Sequence, residues 1–174
     1  NRSSDLQDDN PQLIFESLNS TGVALSEGDK IRNFILMGLP TKLQNVYYED
    51  YWNNIERCTG YDVSSFVRDY LSVKQQAIPS MNRGYVTFKA YVDDEKCETE
   101  PLLKDLLAYA QRYQILLKGR SDSEPKSKEE KQLKACIQRL NRLETTVTRP
   151  FFLEVLRLQD EGKLSIQDVR DIFL

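Results

Sequence analysis

Behind Asp62, the residues Val63, Phe66, Val67, Tyr70 and Leu71 recur at i, i+3, i+4, i+7 and i+8. That spacing lays one apolar stripe along an α-helix and cannot alternate across a strand. Asp62 reads as the N-cap and Pro79 lies beyond the far end, so both the start and the stop are written locally. A helix with a single apolar stripe must bury it against another element. The same punctuation along the rest of the chain shows what those elements are.

Asn10 followed by Pro11 reads as an N-cap and first helical position, opening a short helix through Ile14, Phe15 and Leu18. Ser26 and Asp29 stand at capping-box spacing ahead of Ile31, Phe34, Ile35 and Leu39, and Gly38 and Pro40 stop that helix. Thr41 to Cys58 carries Tyr48, Tyr51, Trp52 and Ile55 on one side, with Gly60 just past its end. The stretch GYVTFKAYV (84–92) suits a strand by composition, but Tyr85, Phe88, Tyr91 and Val92 form a helical stripe, and we read it as helix. Leu102 to Leu117 is rich in Leu and Ala, with Leu103, Leu106, Leu107 and Ala110 in register behind Glu100 and Pro101.

GRSDSEPKSKEEK, from Gly119 to Lys131, breaks the pattern; its first half reads as an exposed loop and its second as a helix start, continued by Leu133, Cys136, Ile137, Leu140 and Leu143. Pro150 opens a further helix that Gly162 closes, and Ser165 with Asp168 caps a last one bearing Ile166, Val169, Ile172 and Phe173. The expected fold is all-α, a multi-helix bundle of eight or nine helices. At 174 residues it is long enough to close one core. We read 1–174 as a single helical domain: a helix-turn-helix segment at 1–40, central helices at 41–118, an exposed loop at 119–130 and C-terminal helices at 131–174. No fixed-period internal repeat is present.

Composition narrows the chemistry. There is no histidine among the 174 residues, which removes the commonest general base and the nucleophile pairs built on it. Cys58, Cys97 and Cys136 are odd in number and far apart, a pattern of free thiols in a reducing cytoplasm rather than of zinc or disulfides. No phosphate-cradling glycine loop and no calcium-loop spacing occurs; Asp93, Asp94 and Glu95 read as solvated charge. No catalytic residue and no metal ligand set is assigned. With no apolar run near the roughly 20 residues needed to cross a bilayer, no membrane partner is expected. The opening NRSSDLQDDNP has neither an initiator Met nor a signal-peptide pattern and reads as the inside of a longer protein.

Two polar features invite a binding role. Lys126, Lys128, Lys131, Lys134, Arg139 and Arg142 crowd one segment, but Glu129, Glu130 and Glu144 interleave with them and the net charge is −3, so a solvated helix is the expected reading over a DNA contact. Tyr47, Tyr48, Tyr51 and Trp52, at helical spacing, read as core rather than as a base-stacking platform.

The second feature is FESLNSTGVALSEGDKIRN (15–33). Asn19-Ser20-Thr21-Gly22 is a turn rich in residues that tolerate positive φ or hydrogen-bond their own backbone. Just beyond it Asp29, Arg32 and Asn33 share one face of a helix near its N-terminus. Phe15, Leu18, Asn19, Gly22, Leu25, Asp29, Arg32 and Asn33 together match the pattern F-x-x-[IL]-N-x-x-G-x-x-L-x-x-x-D-x-x-[RK]-N, eight positions over nineteen residues. In this the chain resembles the N-terminal domain family of GmrSD-type modification-dependent restriction endonucleases. TRPFFLEVLRLQDEGKLSIQDVRDIF is similar to a helical stretch that such proteins carry later.

The resemblance implies a larger α/β plus α protein: a ParB/sulfiredoxin-like nucleotidase core with an Asp-Gly-Gln-Gln-Arg motif, then helices, and often a C-terminal HNH-type nuclease, acting in phage defence. This chain has no such motif and no histidine. It therefore corresponds to the helical part after the nucleotidase motif, itself inactive as an enzyme and holding no cofactor. Its implied partners are the missing N-terminal nucleotidase segment, a C-terminal nuclease domain, and DNA through the parent protein, with an NTP and a divalent metal as the parent's ligands. By the same resemblance Asn19, Thr21, Gly22, Asp29, Arg32 and Asn33 lie beside the nucleotide, Arg32 facing phosphate charge and Asp29 orienting it. The alternative is a protein–protein interaction or scaffold bundle in which Asp29 and Arg32 are surface decoration.

Overall fold

The computed structural model describes residues 24–118, 124–143 and 146–174. The helix expected at 11–18 and the turn at 19–22 lie outside them. The described residues are helical, with no strand among them. In chain order the helices are α1 (Glu27–Leu36), α2 (Thr41–Tyr47), α3 (Asn53–Cys58), α4 (Val63–Gln75), α5 (Gly84–Asp94), α6 (Thr99–Lys118), α7 (Lys128–Arg142), α8 (Arg149–Asp160) and α9 (Ile166–Phe173). A π-helical turn, Tyr48–Trp52, joins α2 to α3 so that 41–58 runs on as one rod, and a 3-10 turn, Met81–Arg83, leads into α5.

The local signals account for the ends. Ser26 and Ser165 each accept the N–H of the residue three on, Asp29 and Asp168, whose carboxylates return the bond; Asp62 accepts from Ser65 N–H. Gly60 and Tyr61, both at φ +63°, turn α3 sharply into α4, and Gly162 at φ +72° closes α8. The end of α1 is held by a side chain instead: Gln44 Nε2 donates to Leu39 O at 2.8 Å.

The long helix α6 is the axis. It packs against α3, the π turn, α4, α7 and α8; α4 and α8 also pack on each other, α1 and α5 pair beside α4, and α9 lies on α7. Its aromatics interlock with those of α4: Phe66 with Tyr113 and Tyr70 with Tyr109, each at 5.4 Å between ring centres and close to edge-on. Within that stack the Tyr70 hydroxyl donates to Asp105 Oδ2 at 2.7 Å, and the Tyr113 hydroxyl accepts from Arg149 Nη1 at 3.0 Å. Burial and the adjacent Asp105 charge hold the Tyr70 phenol well above its ordinary range.

The π turn changes what faces the core. One extra residue is wound in, so Tyr47 and Tyr51 reach Glu100 at the start of α6, at 3.4 and 3.0 Å. Trp52 and Ile55 are fully buried, while Tyr48 and Tyr51 are half-buried. Among the described residues no helix is long and apolar enough to cross a membrane.

Candidate functional site

The N-terminal ends of α1, α4 and α5 converge. Glu27, first residue of α1, caps α5 through the Tyr85 N–H, 2.7 Å from Oε2, and its other oxygen meets Lys30 Nζ at 2.7 Å. Burial works against the charge on Glu27, but those two bonds prevail and hold its carboxyl below the usual range. Gly28 N–H donates to Ser64 Oγ at 3.1 Å. A Cβ at Gly28 would stand 2.9 Å from Val63 Cβ, closer than side chains approach. Only glycine lets the first turns of α1 and α4 touch in this way.

Next along the same turn, Asp29 divides its oxygens. Oδ2 serves the capping box, accepting Ser26 N–H at 3.2 Å and the Ser26 hydroxyl at 2.7 Å. Oδ1 lies 3.3 Å from Arg32 Nη2. Arg32 Nη1 reaches Glu56 Oε1 on α3 at 3.4 Å, and that oxygen also accepts the Trp52 indole N–H at 2.9 Å. Arg32 is only 7% exposed. Its guanidinium is thus a buried cation held between carboxylates of two helices, the condition under which burial of a charge is tolerated.

These carboxylates edge a cavity of about 240 Å³, walled by Ser26, Asp29, Glu56, Tyr61, Asp62 and Ser64, with Gly28 and Val63 between them. Tyr61 stands at its rim, 75% exposed and in the left-handed region that bulky residues rarely enter. The three carboxylate side chains of Asp29, Glu56 and Asp62 make the wall a set of hydrogen-bond acceptors. It suits hydroxyl and amino donors, and a bare phosphate would meet repulsion there. No cluster of acids or thiols able to hold a metal ion occurs among the described residues.

Of the sequence-assigned residues, Asp29 and Arg32 come together here. Asn33 lies on the same helix, half-buried, and its Oδ1 is buried without a hydrogen bond among the described residues. Asn19, Thr21 and Gly22 lie outside the described residues. Sequence reading missed Glu56, Trp52, Tyr61, Asp62 and Gly28 as neighbours of this cluster. Glu56 is 24 residues from Arg32 and is brought in by a π turn that no local pattern announces; only Asp62 had a signal, as a cap.

Comparison with protein-family models, curated proteins and solved structures finds no match. The site stands on its own geometry.

Proposed function

We propose that this chain is the helical part of a GmrSD-like, nucleotide-regulated DNA restriction protein, and that the tip of α1 forms the acceptor-lined wall of its NTP site. The observation that carries the reading is that Asp29, one position of the sequence pattern, lines a polar cavity and is met at 3.3 Å by Arg32, a second position of the pattern, which is buried and does not itself line that cavity. In this account Arg32 is a positioning residue: its charge is engaged by Asp29 and Glu56, and it fixes the carboxylates that receive sugar hydroxyls or base amino groups. The groups that bind phosphate and metal and perform hydrolysis belong to the nucleotidase segment outside this chain. Cleavage of DNA belongs to a nuclease domain elsewhere in the parent.

A specific observation favours the scaffold reading as the second choice. Asp29 completes a capping box and Arg32 a buried ion network, so both have structural work without any ligand. Steady-state NTP hydrolysis by the longer protein separates the two. Asp62→Asn keeps an N-cap but halves one acceptor on the wall; KM for NTP should rise several-fold with kcat little changed. Arg32→Ala should lower kcat/KM by tenfold or more. Normal kinetics in both variants, each folded, would leave only the scaffold.

A further inference from the structure

Helix α7 separates charges that its sequence interleaves. At 100° per residue, Lys128, Lys131, Ala135, Gln138, Arg139 and Arg142 fall within about one third of the circumference, and all six are exposed. Leu133, Cys136 and Ile137 form the buried face. Glu129 lies on the core side of the helix, half-buried, its carboxyl held low chiefly by a backbone N–H at the helix start and by the Ser127 hydroxyl; Glu130 lies about 100° round the helix from Lys131. None of Lys128, Lys131, Arg139 and Arg142 forms an ion pair among the described residues. The helix's own electrostatics explain half of this stripe. Arg139 and Arg142 sit in the last turn, where the macrodipole favours cations, but Lys128 and Lys131 occupy the first turns, where it disfavours them.

We propose that the exposed face of α7 is a docking surface for the phosphate backbone of duplex DNA. Four unpaired cations in two pairs, along roughly 21 Å of helix, face a partner that carries about one negative charge per 1.7 Å of its axis. Between the pairs lie Ala135 and Gln138, while the exposed Leu143 follows Arg142 at the C-terminal end, so the centre of the stripe lacks the apolar anchor that centres a protein–protein interface. The buried apolar residues of α7, Leu133, Cys136 and Ile137, are committed to the core. Contact is then sequence-independent and strongly weakened by salt. The assignment stands on the charge pattern of α7 and not on the nucleotide reading, and its test contains no nucleotide, so either can fail alone.

The test is fluorescence anisotropy of a labelled 24-base-pair duplex of arbitrary sequence, titrated with the full chain from 20 to 200 mM NaCl without divalent metal. Saturable binding at low salt is expected, with log K falling against log salt at a slope of about −3 to −4, near 0.9 per phosphate contacted. Lys128→Gln/Lys131→Gln and, separately, Arg139→Gln/Arg142→Gln should each weaken binding about five- to tenfold and reduce the slope by about 2. Lys42→Gln/Arg83→Gln, equally exposed but remote in sequence from α7, should change affinity less than twofold. No binding at 20 mM NaCl overturns the proposal. So do α7 variants that bind like the control, and so does binding of polyglutamate in place of DNA.

Discussion

Arg32 Nη1 lies 3.4 Å from Glu56 Oε1, the same oxygen that accepts the Trp52 indole N–H at 2.9 Å. One carboxylate therefore ties α1 to the π turn and to α3. Arg32→Ala leaves Asp29 and Glu56 without their shared cation and should cost about 2 to 4 kcal/mol in denaturant unfolding. Adding Glu56→Gln, which still accepts from Trp52, should recover part of the loss. A double-mutant cycle is expected to give at least about 1 kcal/mol of coupling; simple additivity would mean that the pair contributes nothing.

Gly28 provides a steric test of the same corner. Gly28→Ala places a methyl 2.9 Å from Val63 Cβ and should destabilise by about 1 to 3 kcal/mol, as overpacking does. Val63→Ala removes Cγ1, 3.3 Å from that methyl, but keeps the Cβ at 2.9 Å, so the double variant should recover only part of the loss. Thermal unfolding of the three variants decides it.

Asp69 on α4 is buried, and burial pushes its carboxyl up to about 6 despite the nearby Arg149 and Arg68, with Asp62 adding repulsion. A folded-state value above the unfolded one means that ionisation opposes folding: stability from this group is highest below the unfolded value near 4 and is lost as pH rises through about 6. The unfolding free energy of the native chain, measured relative to Asp69→Asn, should fall by roughly 2 to 3 kcal/mol between pH 4 and pH 7. A pH-independent difference would contradict this placement.

What the sequence disclosed were features closed within three or four residues. The Ser26–Asp29 and Ser165–Asp168 boxes, the Asp62 cap, the Gly162 stop and the ambiguous GYVTFKAYV, which is α5, all follow from local hydrogen bonds and helical stripes. What stayed hidden depends on packing. Glu27 caps a helix 58 residues away, Glu56 reaches Arg32 only through the π turn, and Gly28 is required by its contact with Val63. Glu129 and Glu130, interleaved in the sequence, lie off the stripe of Lys128, Lys131, Arg139 and Arg142 once the helix is wound.

Hydrogen exchange on the longer protein, with and without NTP, tests the central claim most directly. If the tip of α1 walls the nucleotide site, amides in 24–33 and 56–66 should exchange more slowly when NTP is bound. Protection confined to other segments, with these two unchanged, would contradict it.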